Sequence, residues 1–410
     1  MRPRLLVAAI AFALPALLHS QTAPETDRQN SDWRRIRSAH FVGVGDTSEF
    51  DLREALREVE AFRTALAWFG LTSPATESPT LVVFRNDSAL APFRPRDETG
   101  RVRENAVGYF TSQPDATYLV LSGEPTGDRS LMLRVALHEY THNVLARRIP
   151  RIPLWLNEGF AEFYSGVARN GPGGVSTIGA PLAERVRVLR SRRLLPLDQL
   201  TAQVGAIDFV NSSNDNSIFY AQSWALVHYL VIGSNTTRAG QLEHYIEAIQ
   251  EGASPEESFQ EAFGPAAPLE QELARYIGRG RFDTRALPGT STQGDASPGP
   301  SQPMLESEVA ALKGDLLVRV RAFAPAEREL VRAHALAPDN STAIVALSFL
   351  RIEQSRFDDA VVLLQGLVAV RPDWDVAHSY LSSALRRAGR LDEAFQEYEK
   401  AEALRAAATR

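Results

Sequence analysis

The chain has 410 residues, with 44 basic and 50 acidic side chains, a formal charge of -6 and no cysteine. This length allows two or three domains with a substantial core, and the lack of a basic excess argues against nucleic acid or an anionic membrane as the main partner. Without thiols the chain has neither disulfides nor a lipid-attachment site, so its core must be stable unaided.

At the amino terminus, Arg2 and Arg4 precede an apolar run from Leu5 to Leu18, followed by His19, Ser20 and Gln21. Residues 1–20 read as a secretory signal peptide, too short for a comfortable membrane span; an uncleaved anchor is the other reading. The expectation is a bacterial protein exported to the periplasm or secreted, with no stable membrane span after cleavage. From Asp32 onward, the runs Phe41 to Val44, Leu81 to Phe84, Val107 to Phe110 and Tyr118 to Leu121 are β-branched and aromatic and are bounded by turn residues, which predicts strands. Leu52, Leu56, Val59, Phe62, Leu66 and Phe69 recur at helical spacing between the first two.

Asp128 as N-cap and Pro150 as stop predict a helix over about Arg129 to Arg148. On it Leu131, Val135, His138, His142 and Leu145 form one stripe, expected to face inward. Beyond the Ile152, Pro153 turn, Leu154 to Phe163 predicts a second helix returning antiparallel to the first. After Gly166 helical patterns take over, at Ala183 to Leu194, Tyr220 to Ile232, Gln241 to Gln250 and Glu270 to Ile277. Arg185, Arg187, Arg190, Arg192 and Arg193 alternate with apolar residues and read as the solvated face of an amphipathic helix. Residues 32–285 are thus expected to be an α+β domain, a mixed sheet with helices packed on it and a helical second lobe.

Residues 286–304 are rich in Pro, Gly, Ser and Thr and predict a flexible linker. Beyond it, over 305–410, Ala326, Ala360 and Ala394 recur with a period of 34 residues, as do Phe323, Phe357 and Leu391, and Pro338 and Pro372. That period resembles tetratricopeptide repeats, three of which make the minimum stack that buries a continuous core. The first unit is the weakest, because Lys313 stands where Leu347 and Leu381 stand in the others. Such repeats imply a protein or peptide partner.

His138, Glu139, Tyr140, Thr141 and His142 spell HExxH. Histidines four apart share a helical face and can bind one zinc ion, and the glutamate after the first can reach a metal-bound water as general base. A catalytic zinc takes a third protein ligand, and Glu158 and Glu162 on the next helix share one face. By rise per residue, His142 and His138 lie about 9 and 15 Å before Arg148, and Glu158 and Glu162 about 7.5 and 13.5 Å after Pro153. Spacing leaves both carboxylates open.

HEYTH followed by LWLNEGFAEF resembles the gluzincin metallopeptidases, the clan of thermolysin and aminopeptidase N, and most closely the peptidase MA-like family of exported bacterial proteins. The resemblance implies a zincin-like domain in which Glu158 is the third ligand of one Zn²⁺ and Glu162 supports a ligand histidine from behind. It further implies that Tyr220, the tyrosine of the FYAQSW segment, donates to the tetrahedral intermediate; His228 is the other candidate donor. Fifteen residues separate His142 from Glu158, fewer than in the aminopeptidase N pattern, and no GxMEN segment is present, so exopeptidase action is not supported.

The function so implied is zinc-dependent hydrolysis of a peptide bond in a peptide or protein substrate, with endopeptidase action expected. His138, His142 and Glu158 would bind the metal, Glu139 would act as base and Tyr220 would steady the oxyanion. Gly159 is expected to let the two motif helices approach, and the Tyr118 to Leu121 strand to pair with substrate. Removing residues 305–410 is expected to leave hydrolysis of a small peptide intact. The rival reading is a non-catalytic repeat protein that binds partners beside an inactive zincin scaffold.

Overall fold

The computed structural model describes residues 27–68, 70–71, 78–96, 99–104, 106, 108–123, 129–149, 151–166, 168–169, 176–202, 215–234, 238–286 and 298–408. The signal-peptide segment 1–20, Asp128, Pro150 and residues 287–297 of the linker lie outside the described residues. The chain opens with β1 (Gln29–Arg37), β2 (Val42–Gly45), α1 (Glu49–Trp68), β3 (Thr80–Phe84), α2 (Asp87–Leu90), β4 (Gly108–Ser112) and β5 (Thr117–Ser122). The motif helices α3 (Arg129–Arg148) and α4 (Leu154–Ser165) follow, then β6 (Ala168–Arg169) and β7 (Ser176–Ile178). A helical lobe holds α5 (Ala183–Ser191), α6 (Leu197–Thr201), α7 (Asp215–His228), α8 (Ala239–Gln250), α9 (Pro255–Phe263) and α10 (Ala266–Gly278). After β8 (Arg285–Ala286) and β9 (Gln302–Leu305) come α11 (Glu306–Arg319), α12 (Phe323–Leu336), α13 (Ser341–Glu353), α14 (Phe357–Val370), α15 (Asp375–Arg387) and α16 (Leu391–Ala408).

The architecture is mixed α+β and mostly helical, and its last third is entirely helical after β9. The main sheet runs β4-β5-β3-β2-β1-β9. Its centre is parallel, β2 with β3 and β3 with β5, while β1, β4 and β9 pair antiparallel at the flanks. Residues 302–304, expected to be linker, instead form an edge strand with Leu305: Gln302 and Pro303 pair with Arg35 and Arg34 across a bulge in β1. β5 is hydrogen-bonded on both sides, by β3 and β4, so the strand expected to take up substrate has no free edge; β4 has one among the described residues.

Strand residues alternate between two cores, as a pleat with period two requires. Ile36, Leu81, Val83, Leu119 and Leu121 point to one face, where α1, α3, α4 and the helical lobe build a single large cluster around Phe62, Tyr140, Trp155, Tyr164 and Trp224. Trp33, Val44, Val82, Phe84, Tyr109, Tyr118 and Val120 point to the other, where Val309, Leu312 and Leu316 of α11 and Ala346, Leu347 and Leu350 of α13 cover them.

The helices after β9 pair as hairpins with the period of 34 residues. Phe323, Phe357 and Leu391 each begin the second helix of a pair. Gly314, Ser348 and Ser382 stand at one register position of the first helices. A side chain at Gly314 would lie 2.5 Å from Leu330, so the α11–α12 approach requires glycine there. Ser382 donates to the carbonyl of Ala394 across α15 and α16 at 2.7 Å. Lys313, the odd residue of the first unit, stacks its ammonium 5.3 Å from the Trp33 ring. It departs from the repeat because it faces the sheet, and a lysine stem on an aromatic face serves there.

Candidate functional site

The site is built where α3 meets α4, on the sheet face opposite the repeats. On α3 the buried row is Leu137, Tyr140, Thr141, Val144 and Leu145. The histidines lie at the border of that row rather than in it, with side chains 19% and 22% exposed, and Glu139 is exposed beyond them. This corrects the expected inward stripe: a step of about 100° per residue turns positions 138 and 142 off the core axis and toward α4. Leu145 is buried, and the side chains of Leu131 and Val135 lie outside the described residues.

Nε2 of His138 and Nε2 of His142 stand 3.1 Å apart. Oε2 of Glu158 is 3.5 Å from each of them. That oxygen is buried and has no hydrogen-bond partner among the described residues. His138, His142 and Glu158 therefore form a cluster whose donor atoms converge on one point, and they could hold a metal ion. Burial would raise the Glu158 carboxyl, but the two imidazoles 3.5 Å away hold it down at about 2. His142 moves the opposite way: burial lowers it, and contact with Glu158, then Asn157 and Glu139, overrides that and raises it.

The far nitrogen of His142 has a hydrogen-bond partner, and that of His138 faces a carboxylate. Nδ1 of His142 lies 3.0 Å from Oδ1 of Asn157, so the amide oxygen accepts the ring N–H and leaves Nε2 free for the cluster. Nδ1 of His138 faces Oε1 of Glu162 at 3.7 Å, beyond hydrogen-bond length. Glu162 is gripped by Arg185 from α5, with Nε at 3.0 Å from one carboxylate oxygen and a terminal nitrogen at 2.5 Å from the other. Glu162 is thus an anion clamped between an imidazole and a guanidinium.

The Arg185 guanidinium also lies 5.5 Å from the centre of the Tyr220 ring. Tyr220 is half-buried on α7, and burial, then Glu158 and Glu162, raise its phenol above the ordinary value against the pull of Arg185. The phenol consequently stays protonated and able to donate at neutral pH. Arg185 reads in the sequence as part of a solvated arginine face; it belongs to the site, and only the fold, which packs α5 on α7 and brings Arg185 to Glu162, distinguishes it from Arg187 or Arg193. Asn157 was overlooked too, although it precedes Glu158 in the motif.

His228 is fully buried away from the cluster. Its Nε2 donates to the carbonyl of Gly179 at 2.9 Å, and its Nδ1 accepts from the Tyr276 hydroxyl at 2.8 Å. Burial lowers its pKa, so the ring is a neutral core histidine with both nitrogens satisfied, and not a donor to a reaction intermediate. Gly159 allows a close helix approach, but to α7 rather than α3. A Cβ there would meet Val227 at 2.6 Å and the Ser223 carbonyl at 2.7 Å.

Residues 132–252 match the family described as Protein of unknown function (DUF1570), a stretch that contains His138, Glu139, His142, Glu158, Glu162 and Tyr220. No curated protein matches the chain. Among solved structures, MamA AMB-1 matches at 15% identity with a TM-score of 0.24, covering 45% of this chain and 98% of that one, a likeness too low to carry an argument. No helix among the described residues is long and apolar enough to cross a membrane.

Proposed function

We propose that the cluster on α3 and α4 is the zinc site of a gluzincin-type peptidase, and that the helical hairpins are tetratricopeptide repeats that recruit a protein partner or substrate. The observation that carries this reading is the triangle of Nε2, Nε2 and Oε2, with sides of 3.1, 3.5 and 3.5 Å. Bonds of about 2.0–2.1 Å at tetrahedral angles separate neighbouring zinc ligands by about 3.3 Å, so the side chains already stand at ligand spacing. The buried oxygen of Glu158, without a hydrogen-bond partner among the described residues, suits a cation ligand. A zinc ion held there supplies a Lewis acid for a scissile carbonyl and lowers the pKa of a bound water.

The chain's own groups have defined tasks in this reading. Asn157 fixes the His142 imidazole through its Nδ1, and Glu162 faces the Nδ1 of His138 as a nearby negative charge. Glu139, exposed beside the cluster, takes a proton from the attacking water and delivers it to the leaving amine. Tyr220, a phenol that is protonated at neutral pH, donates to the oxyanion. Three protein ligands and no fourth candidate among the described residues make the site an open one, as catalysis requires.

The second reading, a non-catalytic interaction protein, is favoured by the array of three helical hairpins, and the comparisons lend proteolysis no support. The two separate in one experiment. Zinc-loaded protein should cleave an unfolded protein substrate, and Glu139→Gln should retain the metal while losing about 100-fold or more of the rate. No cleavage by zinc-loaded protein of any unfolded substrate in a broad panel would favour the interaction reading.

A further inference from the structure

The repeat register identifies an uncovered surface. Ala360 and Leu367 of α14 are buried, and their equivalents one period on, Ala394 and Ala401 of α16, are likewise buried. Val361 and Leu364 of α14 are 1% and 0% exposed, in a cluster to which α15 contributes Ala377, Leu381 and Leu385. Their equivalents in α16 are Phe395 and Tyr398, which are 59% and 52% exposed. Leu391, one turn earlier, is 64% exposed. Residues 391, 395 and 398 lie on one helical face, so they form a continuous apolar row at the position where α14 receives α15.

The row has a one-sided charged border. Asp392 and Glu399 run along its open side, and among the described residues neither has an ion-pair partner. The other acids of α16 are engaged: Glu393 with Arg390, Glu397 with Lys400 and His378, and Glu402 with Arg405. A second copy of α16 laid antiparallel on this face would set Asp392 and Glu399 against the acidic border of that copy, which disfavours antiparallel self-pairing.

We infer that the outer face of α16 docks an amphipathic helix from a partner protein, one with a small-and-large apolar row like that of α15 and a lysine- or arginine-rich border that meets Asp392 and Glu399. The apolar row supplies the contact area, and the unpaired carboxylates select the sign of the partner's charge. Helix-in-groove recognition of this kind reads anchors at i, i+4 and i+7, the spacing that Leu391, Phe395 and Tyr398 offer. This inference is independent of the metal site.

The test uses the full chain and a labelled synthetic helix of about 15 residues. It carries the apolar spacing of Ala377, Leu381, Ala384 and Leu385, with lysines along one border; a twin carries glutamates there. Fluorescence anisotropy should show saturable binding of the lysine peptide, weakened about tenfold or more by Phe395→Asp and by Tyr398→Asp, and weaker binding of the glutamate twin. Val362→Asp, at an apolar side chain 68% exposed on α14 and off this row, should leave binding unchanged. Equal binding of both peptides, or insensitivity to Phe395→Asp in a variant with an unchanged thermal midpoint, would overturn the inference. So would a concentration-dependent dimer abolished by Phe395→Asp, which would make a second copy the occupant.

Discussion

The two faces of the central sheet use the same strands for opposite purposes. On one, Leu81, Val83, Leu119 and Leu121 support α3 and α4, whose polar side chains converge on an open cluster at the rim of the core. On the other, Val82, Phe84, Tyr118 and Val120 are sealed by α11 and α13, and the polar groups are locked to one another. Arg319 shows the second pattern: it pairs with Asp315 and Asp115 at 3.0 Å each, with side-chain exposures of 4%, 6% and 8%. It also donates to the carbonyl of Ala116 at 3.2 Å and lies 4.8 Å from the Tyr118 ring, while Tyr380 of α15 donates to Asp115 at 2.7 Å. The working face gathers its polar groups around one open point, whereas the joint ties a buried arginine to two carboxylates, a carbonyl and an aromatic ring.

The largest expected effect comes from removing the joint altogether. Residues 305–410 were expected to be dispensable for peptide hydrolysis. Deleting them strips α11 and α13 from seven buried strand side chains and takes Leu305 from the edge strand. The truncated chain should lose its cooperative unfolding transition and bind a hydrophobic dye; a soluble, cooperatively melting fragment would break the comparison.

Next in size is Arg319→Ala, which leaves two buried carboxylates without their cation and should cost about 3–5 kcal/mol in urea unfolding. Asp315 sharpens the point through pH. Burial raises its carboxyl above the ordinary 3.8, against Arg319 and with help from Asp115. A raised folded value gives stability that is present below 3.8 and is lost as pH rises through the folded value. Wild-type stability relative to Asp315→Asn should therefore fall as pH is raised from 3.8 through that value, and a pH-independent difference would refute the burial argument.

Gly159→Ala tests the platform beneath the working face. Its methyl would press on Val227 and the Ser223 carbonyl between α4 and α7, which should cost about 1–3 kcal/mol of stability and weaken metal affinity by tilting Glu158. Arg185→Lys is the smallest change. It keeps the charge and loses the two-pronged grip on Glu162, so it should leave the unfolding free energy within about 1 kcal/mol of wild type while lowering activity. An unchanged rate would make Arg185 a packing residue only.

The comparison also explains what could be read along the chain and what could not. HExxH, the NEG helix and the 34-residue period are local patterns, since each depends on spacings within one or two elements, and the structure has helices at those places. The β1–β9 pairing joins residues more than 260 positions apart, and no turn or periodicity announces it. A Pro- and Ser-rich stretch read as linker thus ends in a strand that carries the repeats onto the sheet. Arg185 and Lys313 were opaque for the same reason. Their composition reads as solvated surface, and only tertiary neighbours, Glu162 and Tyr220 for one and Trp33 for the other, give them roles. The histidine stripe was misjudged by one position because the sheet takes the row of Leu137, Thr141 and Val144 and leaves the histidines at its rim.

The most direct test of the account is the zinc content of the purified full chain, measured by elemental analysis after dialysis against metal-free buffer, beside that of Glu158→Gln. The account predicts one zinc per chain in the wild type and a loss of stoichiometric zinc in the variant. A wild type without zinc, or a variant that holds it equally well, would contradict it.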